Sequence, residues 1–327
     1  MPMKPEELRQ RIRGLIHMPM THFDENDQLD EVAIRRGLRH AVNVLKGEDA
    51  VFLITGSTAE FYAMTDEENM RVIRIVLEEV NGKFPVIAGT GRPGTKVSIE
   101  MSQKAQQAGV DGVLIVHPYY NLVTREGLFR HYETMAENID VGIMIYNNPV
   151  ASKLWIPPDL MAKISKIRNI VADKENTASV TAYYWMQKLV DPQDMVITCG
   201  LGHLMFCFEA VAECPAFVTE LVNFAPDFAI GLYKAAKSKD FDKVREYADR
   251  LSLYDRFISD CAQRRGALPT VLSPASGGSE IPLYQSIIKS AMGLVGLPSG
   301  KVREPMENIT AEEKEELKNV LKRMGVL

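Results

Sequence analysis

The run Asn169-Ile170-Val171-Ala172-Asp173-Lys174-Glu175-Asn176-Thr177 opens apolar and β-branched, as a buried strand does, and delivers a lysine just where turn chemistry begins. Burial disfavours the ammonium form, and the neutral amine is the form that attacks a carbonyl to make a Schiff base. A blander role is open as well: the lysine snorkels past the strand end or pairs with a carboxylate such as Glu175. Three other stretches bear on the choice. Gly56-Ser57-Thr58 offers hydroxyls and backbone amides able to hold a carboxylate, while His117-Pro118-Tyr119-Tyr120-Asn121 and Tyr146-Asn147-Asn148-Pro149 offer phenols able to move protons. Singly, these read as readily as caps, ST-turns or core aromatics. Brought to one place, they supply a nucleophile, a proton shuttle and a carboxylate site.

They meet only if each leaves a strand at the same end of one sheet. Apolar runs at 14–20, 50–55, 84–88, 112–116, 141–146, 170–174, 195–199 and, weakly, 216–219 read as strands. Helical spacing fills the gaps at 29–45, 95–108, 125–138, 158–165, 179–189 and 204–212, and Thr65-Asp66-Glu67-Glu68 is a capping-box signature for a helix running to about residue 80. Eight strand-then-helix units without a hairpin pattern predict an α/β fold, a (β/α)8 TIM barrel, with a doubly wound open sheet as the alternative. In such a barrel, active sites form at the C-terminal strand ends, which is where the four stretches fall. After Pro226 only helical spacing continues, at 229–236, 241–258, 281–295 and 311–324, with Gly277-Gly278-Ser279 marking a linker across 266–280. The expected division is a catalytic barrel over 1–225 and, over 226–327, the last barrel helix plus a C-terminal helical bundle.

Composition narrows the function classes. In 327 residues, 38 Lys and Arg are interspersed with 43 Asp and Glu for a net charge of −5, which argues against nucleic acid as a partner. Four cysteines without paired spacing read as reduced core residues. No apolar leader or membrane span is legible, so the expectation is a cytoplasmic enzyme with no membrane partner.

The segments GSTAEF at Gly56, TDEE at Thr65, PVIAGTG at Pro85, AGVDGVLIVHPYYN at Ala108, EGLFRHY at Glu126, IYNNP at Ile145, NIVADKENT at Asn169 and LPSGKVREPMENITAEEKEELKNVL at Leu297 resemble the dihydrodipicolinate synthase/N-acetylneuraminate lyase family. The resemblance runs over most of the chain and implies a class I lyase, an aldolase or dehydratase needing no metal or other cofactor, in which lysine forms a Schiff base with pyruvate or another 2-keto acid. By position it makes Lys174 the Schiff-base lysine and Tyr146 the proton-handling tyrosine. Ser57 and Thr58, introduced by Gly56, match the pair that binds the keto-acid carboxylate. Tyr120, next to Tyr119, matches a tyrosine completing a proton relay from a neighbouring subunit, which implies a homo-oligomer, a dimer or tetramer.

Departures concern the second substrate. Ala151 stands where dihydrodipicolinate synthases carry an arginine for the aldehyde's carboxylate, and nearby Lys153 lacks the fork geometry of a guanidinium. Ala59 stands where a glycine is expected, His22 where a proline is, and Asp173 replaces an apolar residue beside the lysine, although strand alternation points the two side chains to opposite faces. The wall formed by Cys199-Gly200-Leu201-Gly202-His203 departs from the family's glycine-rich pattern, and His203 reads either as a substrate contact or as a helix cap. The leading expectation is therefore a class I lyase acting on a 2-keto acid, including 2-keto-3-deoxy sugar acids. The alternatives are a dihydrodipicolinate synthase with an altered aldehyde site and a non-catalytic keto-acid-binding protein.

Overall fold

Alternation along each strand decides the architecture. In β5 (Gly142–Asn147) Ile143 and Ile145 join an outer apolar layer, whereas Met144 and Tyr146 join an inner one, as a period of two requires. The same division holds in β1 (Gly14–His17), where Leu15 faces out and Ile16 in, and in β2 (Ala50–Ile54), β3 (Val86–Gly89), β4 (Gly112–Val116), β7 (Val196–Cys199) and β8 (Ala216–Thr219); in β6 (Ile170–Glu175) a register shift against β5 puts Val171 and Ala172 both inward, and alternation resumes from Ala172. All eight are parallel and close in sequence order into a barrel, with Leu15 of β1 opposite Phe217 of β8. That last pairing excludes the open sheet. The computed structural model describes residues 2–266 and 283–327.

Outside the barrel lie α2 (Glu31–Val44), α3 (Asp66–Val80), α4 (Thr95–Ala108), α5 (Arg125–Asn138), a short α6 (Pro149–Ser152), α7 (Pro158–Ile164), α8 (Val180–Leu189) and α9 (Gly202–Glu209). Thr65 and Glu68 make the capping box that their spacing predicts. The eighth barrel helix is α10 (Pro226–Lys237); α11 (Phe241–Arg264), α12 (Tyr284–Leu294) and α13 (Ala311–Met324) pack beyond it. α11 runs on past the expected residue 258 to Arg264. Gly277-Gly278-Ser279 and Ile281 lie outside the described residues. Among the described residues no helix is long and apolar enough to cross a membrane.

One element escapes the sequence pattern. Helix α1 (Pro5–Arg11) closes the N-terminal end of the barrel by inserting Leu8 into the inner layer, with Ile12 just after it. A Cβ built on Gly112 or Gly142 would stand 2.6 or 2.8 Å from Leu8 Cδ2, so β4 and β5 are bare there to admit the plug. The cavity lies at the opposite end, lined by residues of the C-terminal strand ends.

Candidate active site

Lys174 and Tyr146 are register partners on β6 and β5, and both point into the barrel. The amine Nζ lies 4.0 Å from the centre of the Tyr146 ring, and the two side chains are 5% and 7% exposed. Lys174 therefore does not snorkel to solvent. Nor does it pair with Glu175, whose carboxylate is on the other side of the sheet, accepting from Asn147 Nδ2 at 2.8 Å and from the Thr177 amide at 2.7 Å. Asn148 Nδ2 donates to the Tyr146 hydroxyl at 2.7 Å. With its oxygen thus engaged as acceptor, the phenol keeps its proton for a group in the cavity.

Across the mouth, β2 ends in a strained turn. Thr55 is β-branched yet sits at φ +48°, in the left-handed region, and its hydroxyl donates to the Gly89 carbonyl at 3.2 Å. A Cβ on Gly89 would lie 2.2 Å from the Thr55 oxygen, so glycine there allows the two strand ends to approach. The turn sets Gly56, Ser57 and Thr58 on the cavity wall opposite Lys174. Glu60 follows, also left-handed at φ +58° and wholly buried, and meets Lys289 Nζ of α12 at 2.6 Å while accepting from the Arg303 amide at 2.9 Å. Burial pulls the Lys289 amine below its usual range, and the Glu60 charge opposes that. The C-terminal helices thus anchor the serine–threonine loop.

Behind the barrel wall lies a second polar layer. Asp173 and Glu175 face outward, as alternation along β6 demands, and both are buried. Burial, reinforced for Asp173 by the charge of Glu175, raises both carboxyls, most strongly Asp173. His117 also faces this layer rather than the mouth where the sequence places it; burial keeps it neutral, with its pKa near 4. Its ring nitrogens meet the Tyr132 hydroxyl at 2.7 Å and Asn147 Oδ1 at 3.1 Å. This network grips Asn147 and Glu175, the residues next to Tyr146 and Lys174 along their strands.

The model of the Dihydrodipicolinate synthetase family matches residues 11–263. The chain belongs to that family. The 4-hydroxy-tetrahydrodipicolinate synthase of Methanopyrus kandleri is 31% identical over 97% of this chain and 98% of its own, and that of Syntrophus aciditrophicus 30% identical over 96% and 99%. Among solved structures, YagE, a prophage protein of the dihydrodipicolinic acid synthase family from E. coli K12 in complex with pyruvate, superposes with a TM-score of 0.83 at 26% identity, covering 96% of this chain and 99% of that one. Dihydrodipicolinate synthase from Aquifex aeolicus gives 0.82 at 26%, covering 96% and 98%. As a dihydrodipicolinate synthetase family member the protein is a lyase of the class I aldolase type.

The cavity of this family member, about 710 Å³, is closed on its far side by residues that the strand-exit pattern does not contain. His203 at the start of α9 is not a surface cap: it is 3% exposed, and Nε2 lies 3.0 and 3.1 Å from the two Asp255 oxygens of α11, with Nδ1 3.7 Å from Glu220. Burial alone would lower its pKa, but Asp255 and then Glu220 outweigh it and raise the imidazole to about 9. Tyr284 and Gln285 of α12 also line the cavity, with Gln285 bonded to the Ser57 carbonyl. Ala151 lines the cavity, and among the described lining residues Lys174 and His203 are the only basic side chains; Lys153 is exposed and turned away. Tyr119 also lines the cavity, whereas Tyr120 does not reach it in its own chain and is 78% exposed.

Proposed function

We propose that the protein is a Schiff-base lyase that joins or cleaves pyruvate, or a closely related 2-keto acid, and a neutral hydroxylated partner, so that its long substrate or product is a 2-keto-3-deoxy sugar acid. The observation that carries the first half is the sequestered Lys174 amine beside Tyr146, with two hydroxyls across the cavity. In this reading Lys174 Nζ attacks the keto carbon and the carbonyl oxygen, once protonated, leaves as water; the resulting iminium withdraws electrons from the adjacent carbon, and Tyr146 moves the proton between the reacting oxygen or carbon and the cavity. Ser57 and Thr58, with the Gly56 backbone, hold the carboxylate. Tyr120 serves a neighbouring copy of the chain in a homo-oligomer, for which its exposure and that of Leu122 leave it free.

The far wall supports the choice of partner. A partner with its own carboxylate calls for a guanidinium fork, and the cavity presents Ala151 at that side and an imidazolium already facing two carboxylates at the other. The buried His203 ring, with Nε2 on Asp255 and Nδ1 3.7 Å from Glu220, has its charge already answered on both sides, which suits an uncharged partner. Synthase activity with aspartate semialdehyde is the second reading, favoured by the names of the curated relatives. The deciding experiment supplies pyruvate with glyceraldehyde or with aspartate semialdehyde and follows pyruvate consumption. Turnover with the hydroxylated aldehyde supports the proposal; turnover with the semialdehyde alone refutes it.

A further inference from the structure

We propose that Tyr284, the first residue of α12, is a substrate-binding residue whose phenol donates a hydrogen bond to the carboxylate of the 2-keto acid at the Ser57–Thr58 side of the cavity. The proposal rests on the functional reading above for where that carboxylate sits, and it gives the C-terminal helices a direct part in binding.

Tyr284 borders the cavity together with Ser57, Thr58 and Tyr146. Its hydroxyl lies beside that of Thr58, with Tyr146 and Tyr62 also near it. The Thr58 hydroxyl, for its part, donates to Met18 Sδ at 3.2 Å. A thioether is a weak acceptor, so the Thr58 hydroxyl lacks a good one, and the Tyr284 phenol beside it adds a second donor to the same wall. Donors in surplus on a cavity wall call for a ligand that only accepts, and an ionised carboxylate with two oxygens is such a ligand. Burial raises the phenol well above 10, so Tyr284 stays protonated and remains a donor across the neutral range.

The position is fixed rather than accidental. Gln285 Nε2 donates to the Ser57 carbonyl at 3.3 Å and to the Tyr62 hydroxyl at 3.0 Å, and one turn further on Lys289 reaches Glu60 at 2.6 Å. These attachments tie the first turn of α12 to both sides of Thr58. Tyr284 is thereby held against the very loop that carries Ser57 and Thr58, as a binding group must be.

The test compares Y284F with wild type for binding of pyruvate and of methyl pyruvate by calorimetry, with thermal unfolding as a check of the fold. The expected result is pyruvate binding weakened about tenfold or more in Y284F, as for loss of a hydrogen bond to a charged group, and the neutral ester weakened by less than about threefold. Equal losses for acid and ester, or no loss for pyruvate, overturn the proposal. Tyr284→Met is the second variant, with the same expected ratio, should Y284F not fold. Borohydride trapping keeps the two claims apart: wild type labelled at Lys174 with pyruvate affinity unchanged in Y284F overturns the Tyr284 contact alone. Pyruvate bound without label overturns the Schiff-base reading, while the acid-to-ester ratio still decides Tyr284. Absence of pyruvate binding overturns both.

Discussion

Replacing Asp255 by asparagine keeps the size of the side chain but removes the charge that faces His203 at 3.0 Å. Asp255, aided by Glu220, is what lifts the imidazole from 6.5 to about 9 against the cost of burial. That difference corresponds to about 3 kcal/mol of interaction gained by the protonated ring on folding. The pKa is raised in the folded state, so this stabilisation is fully present below the unfolded value of 6.5 and is lost as pH rises through about 9. In Asp255→Asn the ring folds as a buried neutral group, and the low-pH stabilisation disappears. Urea unfolding of both proteins at about pH 6 should show the variant weaker by about 3 kcal/mol, and by about pH 9.5 the gap should have closed largely. A gap of the same size at both values would show that Asp255 acts through packing, and the electrostatic account of the far wall would be wrong.

Tyr146→Phe removes the hydroxyl of the residue paired with Lys174 across β5 and β6. Steady-state assay should show kcat reduced about 10²- to 10⁴-fold with borohydride labelling of lysine retained; a kcat within threefold of wild type removes Tyr146 from the proton path. Lys289→Met leaves Glu60 charged in a fully buried site. Urea unfolding should show a loss of about 3–5 kcal/mol, most of it recovered when Glu60→Gln is added; losses that simply add would mean that the two groups are not coupled.

Much of this could be read from residues in their order, and the parts that could not share one cause. Lys174, Tyr146 and Ser57-Thr58 stand at ends of strands, where period-two apolar runs give way to turn residues, and barrel geometry then gives them a common mouth. The opposite facing of Asp173 and Lys174 follows from the same alternation. His117 continues the alternation of β4, in which Val113 and Ile115 face outward and Leu114 and Val116 inward, so it turns to the outer layer and bonds Tyr132 although it stands at a strand exit. His203 stays open between a substrate contact and a cap when only its helix is considered, because the partner that buries it, Asp255, comes from α11, far along the chain. Tyr284 and Lys289 lie in a helix whose pattern shows only that it packs, not that it packs on the Ser57 loop. In α1 a single buried side chain, Leu8, is too little periodicity to mark a helix, although it plugs the barrel. Local pattern carried the strands and their exits; contacts between distant helices carried the rest.

The central claim is that the amine held 4.0 Å from the Tyr146 ring, inside the barrel and out of solvent, is the nucleophile. Incubation with pyruvate followed by borohydride reduction, digestion and peptide mass spectrometry tests it directly. The account predicts one stable adduct of reduced pyruvate on the peptide containing Lys174 and none in Lys174→Ala. A folded protein that acquires no adduct there, or acquires it on another lysine, contradicts it.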